Sequence, residues 1–137
     1  MGLKLQDQGI EKIADGLNYC SHGLRIQAKS ADYTVVVGDI GSWFTTRGAT
    51  GAVIFTLPAV TSAFTGFVCW FFNAVGQNMT VNSTANEMMT FNDLDADGVV
   101  FSTATELIGA TIMAVCDGTS WLVSPMTEET QTMTVTT

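Results

Sequence analysis

Three aspartates stand at alternate positions, Asp93, Asp95 and Asp97, and Gly98 follows them directly. That is the first half of an EF-hand loop. Carboxylate oxygens at every second residue suit a hard cation such as Ca²⁺, and the glycine permits the sharp turn. The closing bidentate Glu belongs at position 104, which is Ala104, and Glu106 comes two residues late. No helical pattern flanks the segment. The spacing therefore reads as an acidic turn between two strands, with a purely structural Ca²⁺ clip as the alternative.

Little else in the chain has the makings of chemistry. His22 is the single histidine and has no partner of catalytic type near it in sequence. A lone histidine in that setting reads as a polar contact rather than a base. Cys20, Cys69 and Cys116 lack CxxC spacing, and an odd number argues against a secreted disulfide framework. Cys69 and Cys116 sit inside apolar runs, as buried thiols do. There is no GxSxG, no phosphate-cradling glycine loop and no Cys/His cluster. Asn78-Met79-Thr80 and Asn82-Ser83-Thr84 match the glycosylation acceptor, but the opening MGLKLQDQG lacks the apolar core of a signal peptide, so both read as chance matches. The expectation is a non-enzymatic protein without a cofactor.

Charge is the next constraint. The 137 residues carry a net charge of −8, with 47% hydrophobic and only 13% charged residues. Before Ala31 four basic residues (Lys4, Lys12, Arg25, Lys29) face three acidic ones, a net of +1. From Ala31 onward Arg47 stands alone against ten acidic residues, a net of −9. An acidic body with one arginine is unsuited to nucleic acid, which needs cations facing phosphate. A weakly basic leader on such a body suits an acidic partner instead. The longest unbroken apolar run, Phe67 to Phe72, is far short of a membrane span.

The elements that must position these residues are strands. Residues 1–30 differ in character: Ile10, Ile13, Ala14 and Leu17 have helical spacing, bracketed by Gly9 and Gly16, a piece marginal alone that reads either as a disordered leader or as an arm that orders on a partner. Residues 31–126 read as one β domain, and 127–137 as a frayed tail or an edge strand through Met133 and Val135. Tyr33, Val35 and Val37 alternate with Thr34 and Val36 before the turn Gly38 to Gly41. Arg47 to Pro58, RGATGAVIFTLP, reads as a central hairpin, with Val53, Phe55 and Leu57 on one face and Pro58 ending the pairing. Gly109 to Val123 reads as a second hairpin turning on Asp117-Gly118. Strand and turn signals at roughly ten-residue intervals predict an all-β fold, an antiparallel sandwich or barrel, with an extended N-terminal arm.

The run FVCWFF is apolar on both faces, Phe67, Cys69 and Phe71 on one and Val68, Trp70 and Phe72 on the other. One face can fill the domain's own core. Burying the other three is worth about 1.5–3 kcal/mol each. A second sheet or a neighbouring subunit must cover them.

Taken in order, several of these pieces resemble the β modules of tailed-bacteriophage structural proteins. They are Tyr33-Thr34-Val35, Gly41 with Phe44-Thr45-Thr46-Arg47-Gly48, Val53 to Pro58 with its TLP end, Gly66-Phe67-Val68, and Val115-x-Asp117-Gly118-x-x-Trp121. The likeness covers roughly residues 31–125, and the leader matches nothing in it. The resemblance implies a jelly-roll or tulip-like module in a small capsid decoration (cement) or head-fibre protein. Such a protein is a homotrimer on the capsid exterior, made in the host cytoplasm, that clamps adjacent major capsid subunits. In that setting Lys4, Lys12, Arg25 and Lys29 would form a capsid-binding arm, and Arg47, Val68, Trp70 and Phe72 a trimer interface. The alternative is a tail-fibre or spike module for receptor or glycan recognition, with Trp43 and Trp121 as candidate sugar platforms.

Overall fold

A computed structural model describes residues 23–127 and 129–137. Twelve strands form two sheets: β1 Arg25–Ala28, β2 Tyr33–Thr34, β3 Ser42–Thr45, β4 Val53–Thr56, β5 Val68–Phe72, β6 Met79–Asn82, β7 Met88–Thr90, β8 Asp93–Ala96, β9 Gly98–Phe101, β10 Thr111–Cys116, β11 Trp121–Pro125 and β12 Thr134–Thr136. The seven-stranded sheet has the order β1-β3-β5-β10-β11-β7-β8, and the five-stranded sheet β12-β9-β6-β4-β2. Short 3-10 turns at Val37–Asp39 and Ser62–Phe64 are the only helical elements among the described residues. The all-β sandwich expected from the strand and turn signals is what forms.

Its wiring differs from the antiparallel expectation. Strands β1 to β6 alternate between the two sheets, so each crossover is itself a strand of the opposite layer. Successive visits to one sheet therefore run the same way: β1 with β3, β3 with β5, β2 with β4 and β4 with β6 are all parallel. Parallel neighbours need a long crossover, and here a strand takes the place of the usual helix. The pairing of β11 with β7 is parallel as well. Antiparallel pairing holds β5 to β10, β10 to β11, β7 to β8, β6 to β9 and β9 to β12.

The same coil corrects the central hairpin. The strands on either side of Arg47 to Gly51, β3 and β4, lie in different sheets, so this stretch is a corner between layers. The turn is closed by Ala49 N–H on the Thr46 carbonyl, and Gly48 sits at φ 91°, where a side chain would be strained. The strand expected from Tyr33 to Val37 is cut to two residues, because Val37–Asp39 turns inward as a 3-10 element. Asp93–Ala96, expected as a turn, is an edge strand with a register shift against β7. The tail adopts the edge-strand alternative, Val135 facing Val99. The hairpin over Asp117-Gly118 forms as read, with Cys116 opposite Trp121 and the Asp117 carboxylate accepting from the N–H groups of Thr119 and Ser120.

The core lies between the sheets. Phe44 of β3, Phe55 of β4 and Phe71 of β5 meet with ring centroids 4.8–5.5 Å apart, and all three are fully buried. Phe67 meets Trp121 edge-on at 5.7 Å. Cys69 and Cys116 are buried free thiols, and burial, helped by the charge of Asp39, pushes the Cys69 thiol far above its ordinary value.

Candidate functional site

Because side chains alternate across a strand, burying one face of the seven-stranded sheet turns the other outward. In β5 the inward residues are Cys69 and Phe71, with Phe67 just before the strand, and Val68, Trp70 and Phe72 point away from the second sheet. Register then builds rows across the sheet. One runs Ile26, Trp43, Trp70, Met113, and a second runs Val68, Val115, Leu122, Met89. A third places Phe72 beside Thr45 and Ala28. None of the outward positions in β1, β3, β5, β10 and β11 is charged.

This face is only partly covered. Trp43 stacks on Trp70 at 6.2 Å and leans on Phe72 at 6.1 Å, so the aromatics shield one another. Ile26 remains 62% exposed, and Met89 and Leu122 more than a third exposed. Of the two covers that the FVCWFF run calls for, the second sheet takes only the Phe67, Cys69, Phe71 face. Near the β1 edge the outer face dips into a groove of about 300 Å³ floored by Ile26, Trp43, Thr45, Phe72 and Ala74. Arg47 stands on its rim, exposed, and forms no ion pair with a described carboxylate.

The remaining predicted cations part company. Lys4 and Lys12 lie outside the described residues, as do His22 and Cys20. Arg25 belongs to β1, so the boundary drawn at residue 30 falls beyond a strand of the body. Arg25 and Gln27 alternate with the outward Ile26 and Ala28, and so turn inward at the sheet edge. There they meet Asp39, only 4% exposed. Its carboxylate accepts from Gln27 Nε2 at 2.8 Å, the Tyr33 hydroxyl at 2.8 Å and the Val36 N–H at 2.9 Å, and Arg25 Nη2 lies 3.8 Å away. Arg25 also donates to the Gly38 carbonyl, and Gln27 to Ser42 Oγ at 2.9 Å. Lys29 sits 3.6 Å over the Tyr33 ring, a cation–π contact.

Burial works to raise the Asp39 pKa, but the Val36, Gln27 and Tyr33 hydrogen bonds and the Arg25 charge together carry it below the ordinary aspartate value. Tyr33 moves the opposite way, raised by burial and by the hydrogen bond to Asp39. In sequence, Asp39 reads only as turn chemistry. The signal was there in part: an inward-period Arg-x-Gln shortly before a lone Asp between two strands.

The acidic triplet does not converge. The Asp93 carboxylate accepts from its own neighbour's Asp95 N–H at 2.9 Å, and Asp97 Oδ1 caps the Asn86 N–H at 2.9 Å. No three His, Cys, Asp or Glu side chains gather as a metal site among the described residues. Trp121 is fully buried and is no sugar platform, whereas Trp43 belongs to the outer aromatic row. No described helix is long and apolar enough to cross a membrane. No protein-family model matches the chain, and a search of curated proteins returned no significant match.

Proposed function

We propose that this is a non-enzymatic structural virion protein that binds the outer surface of a tailed-phage capsid as a homotrimer and stabilises the head by clamping major capsid subunits. The observation that carries the proposal is the outer face of the seven-stranded sheet across β1, β3, β5, β10 and β11, where no outward position is charged. Ile26, Trp43, Trp70, Phe72, Val68 and Leu122 form continuous apolar rows that a lone soluble domain would not leave in water. The ordered motifs that resemble those of phage β modules supply the setting. Val68, Trp70 and Phe72 serve as the subunit interface, with Arg47 at its rim. Lys4 and Lys12 belong to the leader that reaches the shell.

A clamp that binds only the mature lattice stabilises that lattice by its binding free energy, and three linked leaders raise the effective concentration of each weak contact. The test is to mix purified protein with undecorated expanded heads and follow co-sedimentation and resistance of the heads to disruption. Saturable binding with stabilised heads is the expected result. A protein that ignores heads and is recovered with purified tails would overturn the proposal in favour of receptor or glycan recognition, which a glycan array would then show.

A further inference from the structure

The seven-stranded sheet ends differently at its two edges. At the β1–β3 edge lies the apolar groove with Arg47, the sole cation from Ala31 onward, on its rim. At the opposite edge the β7–β8 hairpin presents Phe91, 57% exposed, and Leu94, 67% exposed. Phe91 and Asn92 turn this hairpin at positive φ (38° and 67°), and Asp93 and Asp95 flank Leu94. The Asp95 carboxylate is exposed, and among the described residues it holds no ion pair.

We infer that the Arg47 groove of one copy receives the β7–β8 hairpin of another copy, Leu94 and Phe91 entering against Trp43 and Phe72 while Asp95 meets Arg47. The occupant cannot be the chain's own hairpin. β3 and β8 are five strand spacings apart in one sheet, roughly 24 Å. The two surfaces complement each other in kind: an apolar floor with one cation faces two large apolar groups, of which Leu94 is flanked by carboxylates. In a body of net −9, the hairpin's acidity would otherwise drive copies apart, and Arg47 is the one group from Ala31 onward able to offset it. The inference rests on the homotrimer reading and deepens it. Because groove and hairpin are different patches, each copy gives one and takes one, a head-to-tail contact that closes into a ring in a trimer.

The experiment uses the full chain carrying Cys20→Ser, with Ile26→Cys and Leu94→Cys added singly and together, and non-reducing gels after mild oxidation. The two sites lie six strand spacings apart within one chain, roughly 29 Å, so an intrachain bond is excluded. The double variant is expected to give a covalent ladder ending at trimer, and neither single variant to give one. In parallel, light scattering over a concentration series should show Arg47→Glu weakening association by at least about tenfold, and Arg47→Glu with Asp95→Arg restoring most of it. Unchanged circular dichroism shows that each variant folds. A wild-type trimer indifferent to Arg47→Glu and giving no crosslink overturns this contact and leaves the trimer standing. A ladder ending at dimer supports the contact and overturns the trimer. A wild-type monomer overturns both.

Discussion

The Trp121 indole N–H donates to the Pro58 carbonyl at 2.9 Å, joining the end of the TLP stretch to the last hairpin across 63 residues of chain. Trp121 is fully buried, so its one polar atom needs a partner, and the carbonyl of a residue that cannot continue a ladder supplies it. Trp121→Phe keeps most of the apolar volume and leaves that carbonyl unpaired. It is expected to cost about 1–3 kcal/mol, read as a lower denaturant midpoint with unchanged slope at fixed protein concentration.

Asp39 makes a pH prediction. Its folded pKa lies below the unfolded value, so folding favours the ionised form. The stabilisation is full above the unfolded value of about 3.9 and is lost as pH falls through the lower folded value. Thermal melts between neutral and strongly acid pH should show this loss, and Asp39→Asn should flatten that part of the profile. A variant as acid-sensitive as wild type would place the titration elsewhere.

Thr46 and Asn73 form a second buried polar pair, Thr46 Oγ1 donating to Asn73 Oδ1 at 2.6 Å and accepting the Ala74 N–H at 2.8 Å. Thr46 anchors the corner between β3 and β4, and Asn73 follows β5 directly. Thr46→Val preserves shape and removes both bonds, with an expected loss of about 1–3 kcal/mol by chemical denaturation. A loss below about 0.5 kcal/mol would mean that water replaces the hydroxyl.

The N-terminal boundary is testable by two truncations. Removing residues 1–30 takes away β1, exposes the edge of β3 and strips Asp39 of Arg25 and Gln27. Removing residues 1–22 does none of this. The longer truncation should therefore melt well below the shorter one. The shorter one is the proper probe of head binding by the leader, and its full decoration of heads would exclude a leader contact.

The alternation of residue types made much of the fold legible. The two faces of FVCWFF, the buried side of Val53, Phe55 and Leu57 along and just past β4, and the Asp117-Gly118 turn all follow from local periodicity and turn chemistry. Partner choice was not legible. Periodicity marks a strand and its buried side but not the sheet it joins, so the corner at Arg47 to Gly51 read as a hairpin. Asp39 was hidden for a similar reason: its partners Arg25 and Gln27 reach it through the parallel pairing of β1 with β3, which no local pattern encodes.

By itself the sequence determined that this chain is an acidic all-β protein with one two-faced apolar strand, since composition and side-chain alternation act within a few residues. Only the tertiary structure decided where those faces went. It wound six strands alternately between two sheets, drew Arg25 from a supposed arm into a buried carboxylate cluster, and left Trp43, Trp70 and Phe72 on an outer face with Arg47 at its rim. Those outcomes depend on contacts between strands far apart in the chain, whose energies are set by packing of whole layers and not by any single stretch.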